Sequence, residues 1–453
     1  MTKKLWSYLR HDDPKLRFSW YCLQLGLFIF PFFPGLGAVG LFLSGLIPFG
    51  QEWNRISKYP LYQGFIFLSI FLVITVIFAS DKLTAFLGLF NLLPFFLLFI
   101  GWSRLIQTTT QLTRISWILT INSLPVVIIG MGDLFIGWNT PKLWSSIFGW
   151  MLVGGGNPPN RMASTFNYAN ILAGYLAIVF ILNLGLWLQE WRRIRTKRQG
   201  DKETRRQGDN EKISLLSPHP PIPPSPHLFP FLTFAAILNF TGLILTNSRN
   251  AWVIALVTCL AYALYLGWRL IVAVAIGIAG SVIVAAFAPS PIAELFRKVV
   301  PAFFWARFND QLYPDRPVAL MRTTQWNFAW DLTMQRPLTG WGLRNFSAIY
   351  ETKMNLWLGH PHNLFLMLSA ETGLVTTLLF FGLLGWIFIQ AIKLLQVIPK
   401  ENKLIFFSYL LVFVGWILFN TVDVTLFDFR LNTLSWLILG AIYGLERTAN
   451  GEQ

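Results

Sequence analysis

Two histidines, His360 and His362, sit in the run His360-Pro361-His362-Asn363-Leu364-Phe365, where a long polar passage meets a strongly apolar one. The whole chain has only five histidines, so this pairing is the first place to look for proton transfer. Imidazole exchanges a proton near neutral pH without special tuning. Pro361 fits the first position of a helix and would put His362 in its first turn. There the positive helix end disfavours imidazolium and leaves the ring able to accept a proton. A helix-start histidine also occurs as a purely structural residue. The pair could hold a metal, but no Cys and no nearby Asp or Glu stands at ligand spacing, so no metal is assigned. Glu371 follows inside the apolar run, where a carboxylate must be paired or face a polar cavity.

Arg161 and Arg249 each stand close before an apolar stretch. Arginine near a membrane core is costly and is usually matched by an anion. Its planar fork suits phosphate oxygens and stays charged at any relevant pH. The plain alternative for each is an interfacial anchor. Two on one face, beneath a basic loop, point instead to an anion such as a lipid-linked phosphate.

These residues need elements to hold them. Of 453 residues, 54% are hydrophobic and only 13% charged, and apolar runs recur along the chain. Runs of roughly 20 residues cross a bilayer as helix. The sequence therefore predicts an all-α polytopic membrane protein with about 12 transmembrane helices and a large, partly helical outer loop. The net charge of +15 falls largely between apolar runs, as the positive-inside bias requires, so nucleic acid is not a partner. Cys22 and Cys259 lie within apolar runs and read as packing residues. Lys3, Lys4, Arg10, Lys15 and Arg17 precede an apolar stretch with no small-residue cleavage site, so the first span is expected to be retained.

Five regions follow. Residues 1–190 form an N-terminal membrane half of about six helices, its first block broken at Pro31, Pro34 and Gly35. Residues 191–227, with the repeat 196–203 and 204–211 and a proline-rich tract, read as a disordered basic cytoplasmic linker. Residues 228–288 supply three more spans, 289–361 the outer loop, and 362–453 the last membrane helices, with both termini cytoplasmic. The loop carries eight Lys/Arg against five Asp/Glu between Pro289 and His362, but loops beyond about 60 residues escape the charge rule. Within it Phe303, Phe304 and Trp305 are expected at the membrane interface. Val318 to Gln335 reads as a helix whose stripe of Trp326, Trp330 and Met334 packs on the membrane domain. Gly340-Trp341-Gly342 is a turn that follows no strand, which excludes a dinucleotide site.

Four pieces, in order, resemble the O-antigen ligase family of bacterial polysaccharide enzymes, which includes related polymerases and protein-glycosylating ligases. They are Arg161 with Thr165-Phe166-Asn167 and Asn170; Ser248-Arg249 with Ala251-Trp252; Pro337-Leu338-Thr339-Gly340-Trp341-Gly342 with Asn345-Phe346; and His362-Asn363 with Leu366, Glu371 and Gly373. The resemblance implies a bacterial inner-membrane glycosyltransferase with a periplasmic active face. Such an enzyme moves a glycan from an undecaprenyl-pyrophosphate carrier to a glycan, lipid or protein acceptor hydroxyl, inverting, without metal or other cofactor. Mapped here, Arg161 and Arg249 neutralise the leaving diphosphate and His362 orients or deprotonates the acceptor. His360, Asn363, Arg322, Arg344, Glu371, Ser248 and Asn167 complete the expected substrate contacts, with membrane lipid as a further partner. A polymerase would share this donor chemistry. A transporter of inorganic carbon or another small anion is the competing reading, but it would place polar residues deep in its spans, and these spans are mostly clean.

Overall fold

The structure is a computed structural model that describes residues 10–206, 227–306 and 317–451, without the side chains of 142, 197–206, 303 and 304. Among the described residues it is helical, with one isolated bridge between Gly156 and Arg161 and no strand. The helices are α1 Arg17–Ile29, α2 Pro34–Glu52, α3 Pro60–Ile77, α4 Lys82–Gly88, α5 Leu93–Leu105, α6 Thr109–Met131, α7 Lys142–Phe148, α8 Ala169–Arg206 and α9 Leu228–Leu245. There follow α10 Arg249–Tyr265, α11 Arg269–Phe287, α12 Ile292–Arg297, α13 Ala302–Trp305, α14 Arg322–Gln335, α15 Phe346–Met354, α16 Leu364–Val397, α17 Lys400–Asn420 and α18 Phe429–Ala449. Starts follow local chemistry. Pro34 and Pro60 open α2 and α3, and Asp81, Asn363 and Asp428 accept backbone N–H groups at the heads of α4, α16 and α18. Thr108 and Gln111 form a capping box on α6.

Nine helical stretches among the described residues are long and apolar enough to cross a membrane, and the chain is a multi-pass membrane protein. The first apolar block is split as expected, α1 ending at Ile29 and α2 starting at Pro34. α1, α10 and α18 occupy the remaining apolar blocks; the first two are short, and α18 carries Arg430, Glu446 and Arg447. α18 is nevertheless the centre of the bundle. Every residue from Arg430 to Arg447 is buried, against α5, α16, α17 and α8. α8 continues through the basic stretch as far as Arg206, so the first part of the expected linker is helical. The second repeat from 207, the proline-rich tract up to 226, Lys3 and Lys4 lie outside the described residues, as do the side chains of Phe303 and Phe304.

Glycines set the closest approaches. A Cβ on Gly101 of α5 would overlap the Gly45 carbonyl of α2, and one on Gly444 of α18 would overlap the carbonyls of Ser103 and Ile106. Helices in lipid pack where small residues let backbones meet. At that end Glu52 joins three elements. Its Oε2 pairs with Arg447 Nη2 at 3.1 Å and its Oε1 with Arg104 Nε at 3.3 Å. Arg447 also donates to Tyr62 Oη at 2.8 Å and lies over the Tyr59 ring. Charges at this depth persist only when paired.

At the other end the long loop between α11 and α16 is fastened to the bundle through a break in α16. Gly373, at φ 79° and ψ 164°, interrupts the helix. The turn Pro337–Gly342 fills the gap. Leu374 N–H donates to the Pro337 carbonyl at 2.7 Å, Trp341 N–H to Ala370 at 2.9 Å, and Gly342 N–H to Glu371 at 2.8 Å. Only glycine fits at 340 and 342, where φ is positive and a Cβ would overlap Glu371 and Ala79 respectively. Asn345 ties the same loop to Asp81 in both directions, at 3.0 and 3.2 Å. The loop has its own small core of Ala329, Leu332, Phe346, Tyr350 and Leu358 against Ala370. The aromatic stripe is not what packs: Trp330 and Met334 are exposed, and α14 buries Gln325, Ala329, Leu332 and Thr333. Close contact with α16 favours the small side chains.

Replacing Gly101 by Ala is expected to destabilise the protein by about 1–3 kcal/mol through overpacking, read as a lowered melting temperature in detergent. Gly382→Ala on α16, where nothing lies within 4 Å of the added methyl, should leave it unchanged.

Candidate functional site

Arg161 lies in a loop rather than at a helix start. Buried Asp133, at the end of α6, holds that loop by accepting Ser164 N–H at 2.8 Å, while its own carbonyl takes Gly155 N–H. Arg161 Nε donates to the Thr246 carbonyl at 2.8 Å, and Nη2 donates to Asn170 Oδ1. Asn170, in the first turn of α8, then donates through Nδ2 to Asp423 Oδ2 at 3.0 Å. Asp423 is in the turn between α17 and α18 and faces both histidines. Its Oδ1 is 3.6 Å from His360 Nε2 and 3.4 Å from His362 Nδ1. The second contact has ion-pair distance but no hydrogen-bond geometry. A chain of polar contacts thus runs from a guanidinium through an amide and a carboxylate to two imidazoles.

Arg249 heads α10 close enough to Arg161 that each feels the other's charge. Its guanidinium makes no hydrogen bond or ion pair among the described residues. Ser248, at the cap position, accepts no N–H with its hydroxyl oxygen, so the first N–H groups of α10 lack a side-chain acceptor. Burial pulls the Arg161 pKa down and Arg249 adds to that, against the opposing pull of Tyr168 and Asp423. Two cations and an open helix end form a place for an anion.

His362 is not in the first turn of α16. Asn363 is the cap, with Oδ1 accepting Leu366 N–H at 3.0 Å, and His362 precedes it at φ 52°. The helix-end argument drawn from Pro361 therefore does not apply to it as expected. Asn363 also anchors the turn by donating to the Thr421 carbonyl at 3.0 Å. The His360 and His362 rings meet edge to face, 4.6 Å between centroids. His362 N–H donates to His360 Nδ1 at 3.2 Å, so a neutral His360 carries its proton on Nε2, toward Asp423. Burial, reinforced by His362, pushes His360 down to about 4 against the pull of Asp423. Burial also raises Asp423, but the two imidazoles and the Val424 N–H outweigh it and hold that carboxyl below its ordinary value.

The other candidates divide. Arg344 and both histidines line a cavity of about 750 Å³ at this end, together with Asn170, Asp423 and Trp357. Glu371 is neither ion-paired nor in the cavity; it is buried and accepts backbone N–H groups of Arg344 and Phe346. Asn167 serves its own loop, accepting Met151 N–H at 2.7 Å, and Ser248 is buried at the α10 head. Arg322 is exposed at the start of α14 and does not line the cavity. Sequence reasoning missed Asp423, because ligand spacing was sought near the histidines and this carboxylate comes from a distant turn. His360 Nε2, His362 Nδ1 and an Asp423 oxygen lie within 4.8 Å of one another, a set able to gather a divalent ion. The bond into His360 Nδ1 opposes that, since a neutral ring so held presents N–H rather than a lone pair at Nε2.

Because the folded His360 binds its proton more weakly than a free imidazole, its contribution to stability is complete above about 6.5 and is lost as pH falls toward about 4. Melting temperature is expected to drop through that window, and His360→Gln should flatten this part of the profile.

Residues 234–381 match the family model described as O-antigen ligase. No curated protein matches the chain. The matched stretch runs from α9 to α16 and holds Arg249, Arg344, His360, His362, Glu371 and the turn at Pro337–Gly342, while Arg161, Asn170 and Asp423 lie outside it. The match is confined to residues 234–381, about a third of the chain; over that stretch, which includes the long loop and the helix break that receives it, the chain is similar to the O-antigen ligase family.

Proposed function

We propose that the protein transfers a glycan from an undecaprenyl-diphosphate carrier to an acceptor hydroxyl at the periplasmic face of a bacterial inner membrane. In this reading about twelve spans place both termini in the cytoplasm, and the loop end of the bundle is outside. The family is one of glycan ligases and polymerases; donor, acceptor and mechanism are our inference. The observation that carries it is the pair Arg161 and Arg249 at the open head of α10, joined through Asn170 and Asp423 to His360 and His362.

The transfer balances as follows. The acceptor oxygen attacks the anomeric carbon from the face opposite the diphosphate, its proton passes to His362, and the carbon–oxygen bond to the diphosphate breaks with the electron pair leaving on the diphosphate. Attack from the opposite face inverts the anomeric configuration. Half-buried Arg161, exposed Arg249 and the α10 N–H groups meet the charge that grows on the leaving oxygen, where fixed cations lower the barrier. Asp423, 3.4 Å from His362 Nδ1, offsets the positive charge that forms on the ring when the acceptor proton arrives. No step needs a metal. The reading does not separate ligase from polymerase, which share this chemistry.

Purified protein in nanodiscs, given a lipid-linked glycan and an acceptor, is expected to release undecaprenyl diphosphate. Arg249→Ala and His362→Ala should each cut that release by about a hundredfold or more with membrane abundance unchanged. Normal release in both variants would sink the proposal, and uptake of bicarbonate into vesicles, lost in the same variants, would replace it with transport. Excess EDTA should leave the rate unaltered.

A further inference from the structure

The cavity beside the histidines and the arginine pair behind them differ in chemistry. Asn170 lies on the wall between, lining the cavity while bonding Arg161. Neither Arg161 nor Arg249 lines the cavity. Its lining has one guanidinium, Arg344, against two carboxyl groups, Asp423 and Asp428. That balance repels a diphosphate, whose charges would meet carboxylates at close range. It suits an uncharged molecule rich in hydroxyl groups, which can donate to the carboxylate oxygens and to the Ser347 oxygen.

The apolar part of the lining fits the same ligand. Trp357 is 68% exposed and Tyr168 40% exposed, and both line the cavity. Large aromatic faces left open to water in a concave site gain by being covered. The C–H face of a pyranose ring covers such a surface while its hydroxyl groups reach the polar rim. Gly359 runs beside the indole: a Cβ there would make an ordinary contact with the ring of Trp357, at 3.5 Å. Ser347 fixes that backbone by donating to the Gly359 carbonyl at 2.8 Å.

We propose that this cavity is a saccharide site, with Trp357 and Tyr168 as stacking platforms, and that it receives the acceptor sugar while the lipid diphosphate stays on the arginine side of the Asn170–Asp423–His362 wall. The assignment of the sugar as acceptor rests on the transfer reading above; the saccharide site itself does not. His362 lines the cavity and contacts Asp423, so it stands at the boundary where an acceptor hydroxyl and a donor carbon would meet.

The test uses the full chain in nanodiscs with methyl β-D-glucoside and methyl N-acetyl-β-D-glucosaminide as saccharide probes and inorganic pyrophosphate as the anion probe. Saturation-transfer NMR should show saturable glycoside binding that Trp357→Ala weakens by about tenfold and Trp357→Phe largely restores. Arg249→Ala should weaken pyrophosphate binding and leave the glycosides alone. Glycosides that do not bind, or bind equally to Trp357→Ala, overturn the proposal, as does pyrophosphate displacing them competitively. If the glycosides behave as stated but no carrier diphosphate is ever released, the saccharide site stands and the transfer reading falls. If release occurs and Trp357→Ala leaves glycoside binding untouched, the reverse holds.

Discussion

A backbone group that lacks a partner within lipid is expensive, and that constraint explains how an extramembrane loop is held to one place on this bundle. Gly373 breaks α16, and the amides and carbonyls it frees are taken up by Pro337–Gly342 rather than by water. The turn therefore functions as part of the helix. It fixes Asn345 against Asp81 and sets the course of the chain into α15 and on to Trp357, His360 and His362. Glu371, beside the break, holds the N–H groups of Arg344 and Phe346, and Arg344 enters the cavity from a backbone at φ 64°.

Charge is used differently at the two ends. Glu52 and Asp13 together balance Arg447 and Arg104 over short distances and leave nothing for a ligand. At the loop end Arg161 feels the charge of Arg249, and Asp423, the carboxylate among the described residues that acts on Arg161, is already shared with two imidazoles. The first arrangement satisfies itself; the second is completed by an anion. This contrast, more than the presence of arginine, separates a structural cluster from a binding one.

The helices were legible because apolar length is a direct consequence of the bilayer, and breaks at Pro34 and Pro60 are local effects. Arg249, His360 and His362 stood out because polar groups are scarce in such a chain. What could not be read was anything set by tertiary approach. Asp423 reads as an ordinary acid in a short turn until α17 and α18 bring it to the histidines. α14 shows a tryptophan stripe in sequence, yet its small face is buried because α16 comes too close for indoles. His362 looked helical because Pro361 can start a helix, but Asn363 offers a better cap and wins.

One feature of the bundle bears on how it is made. α18 follows the other described helices in chain order, yet it occupies the middle, with its neighbours pressed against Gly440 and Gly444 and with Arg447 as the partner of Glu52. Until that segment enters, the helices that precede it lack the one they pack around and Glu52 lacks the guanidinium of Arg447. Insertion order and packing order are thus opposed: the keystone is delivered after the arch is standing, and a nascent chain halted before Phe429 lacks both the axis of the bundle and the segment that closes its polar lock.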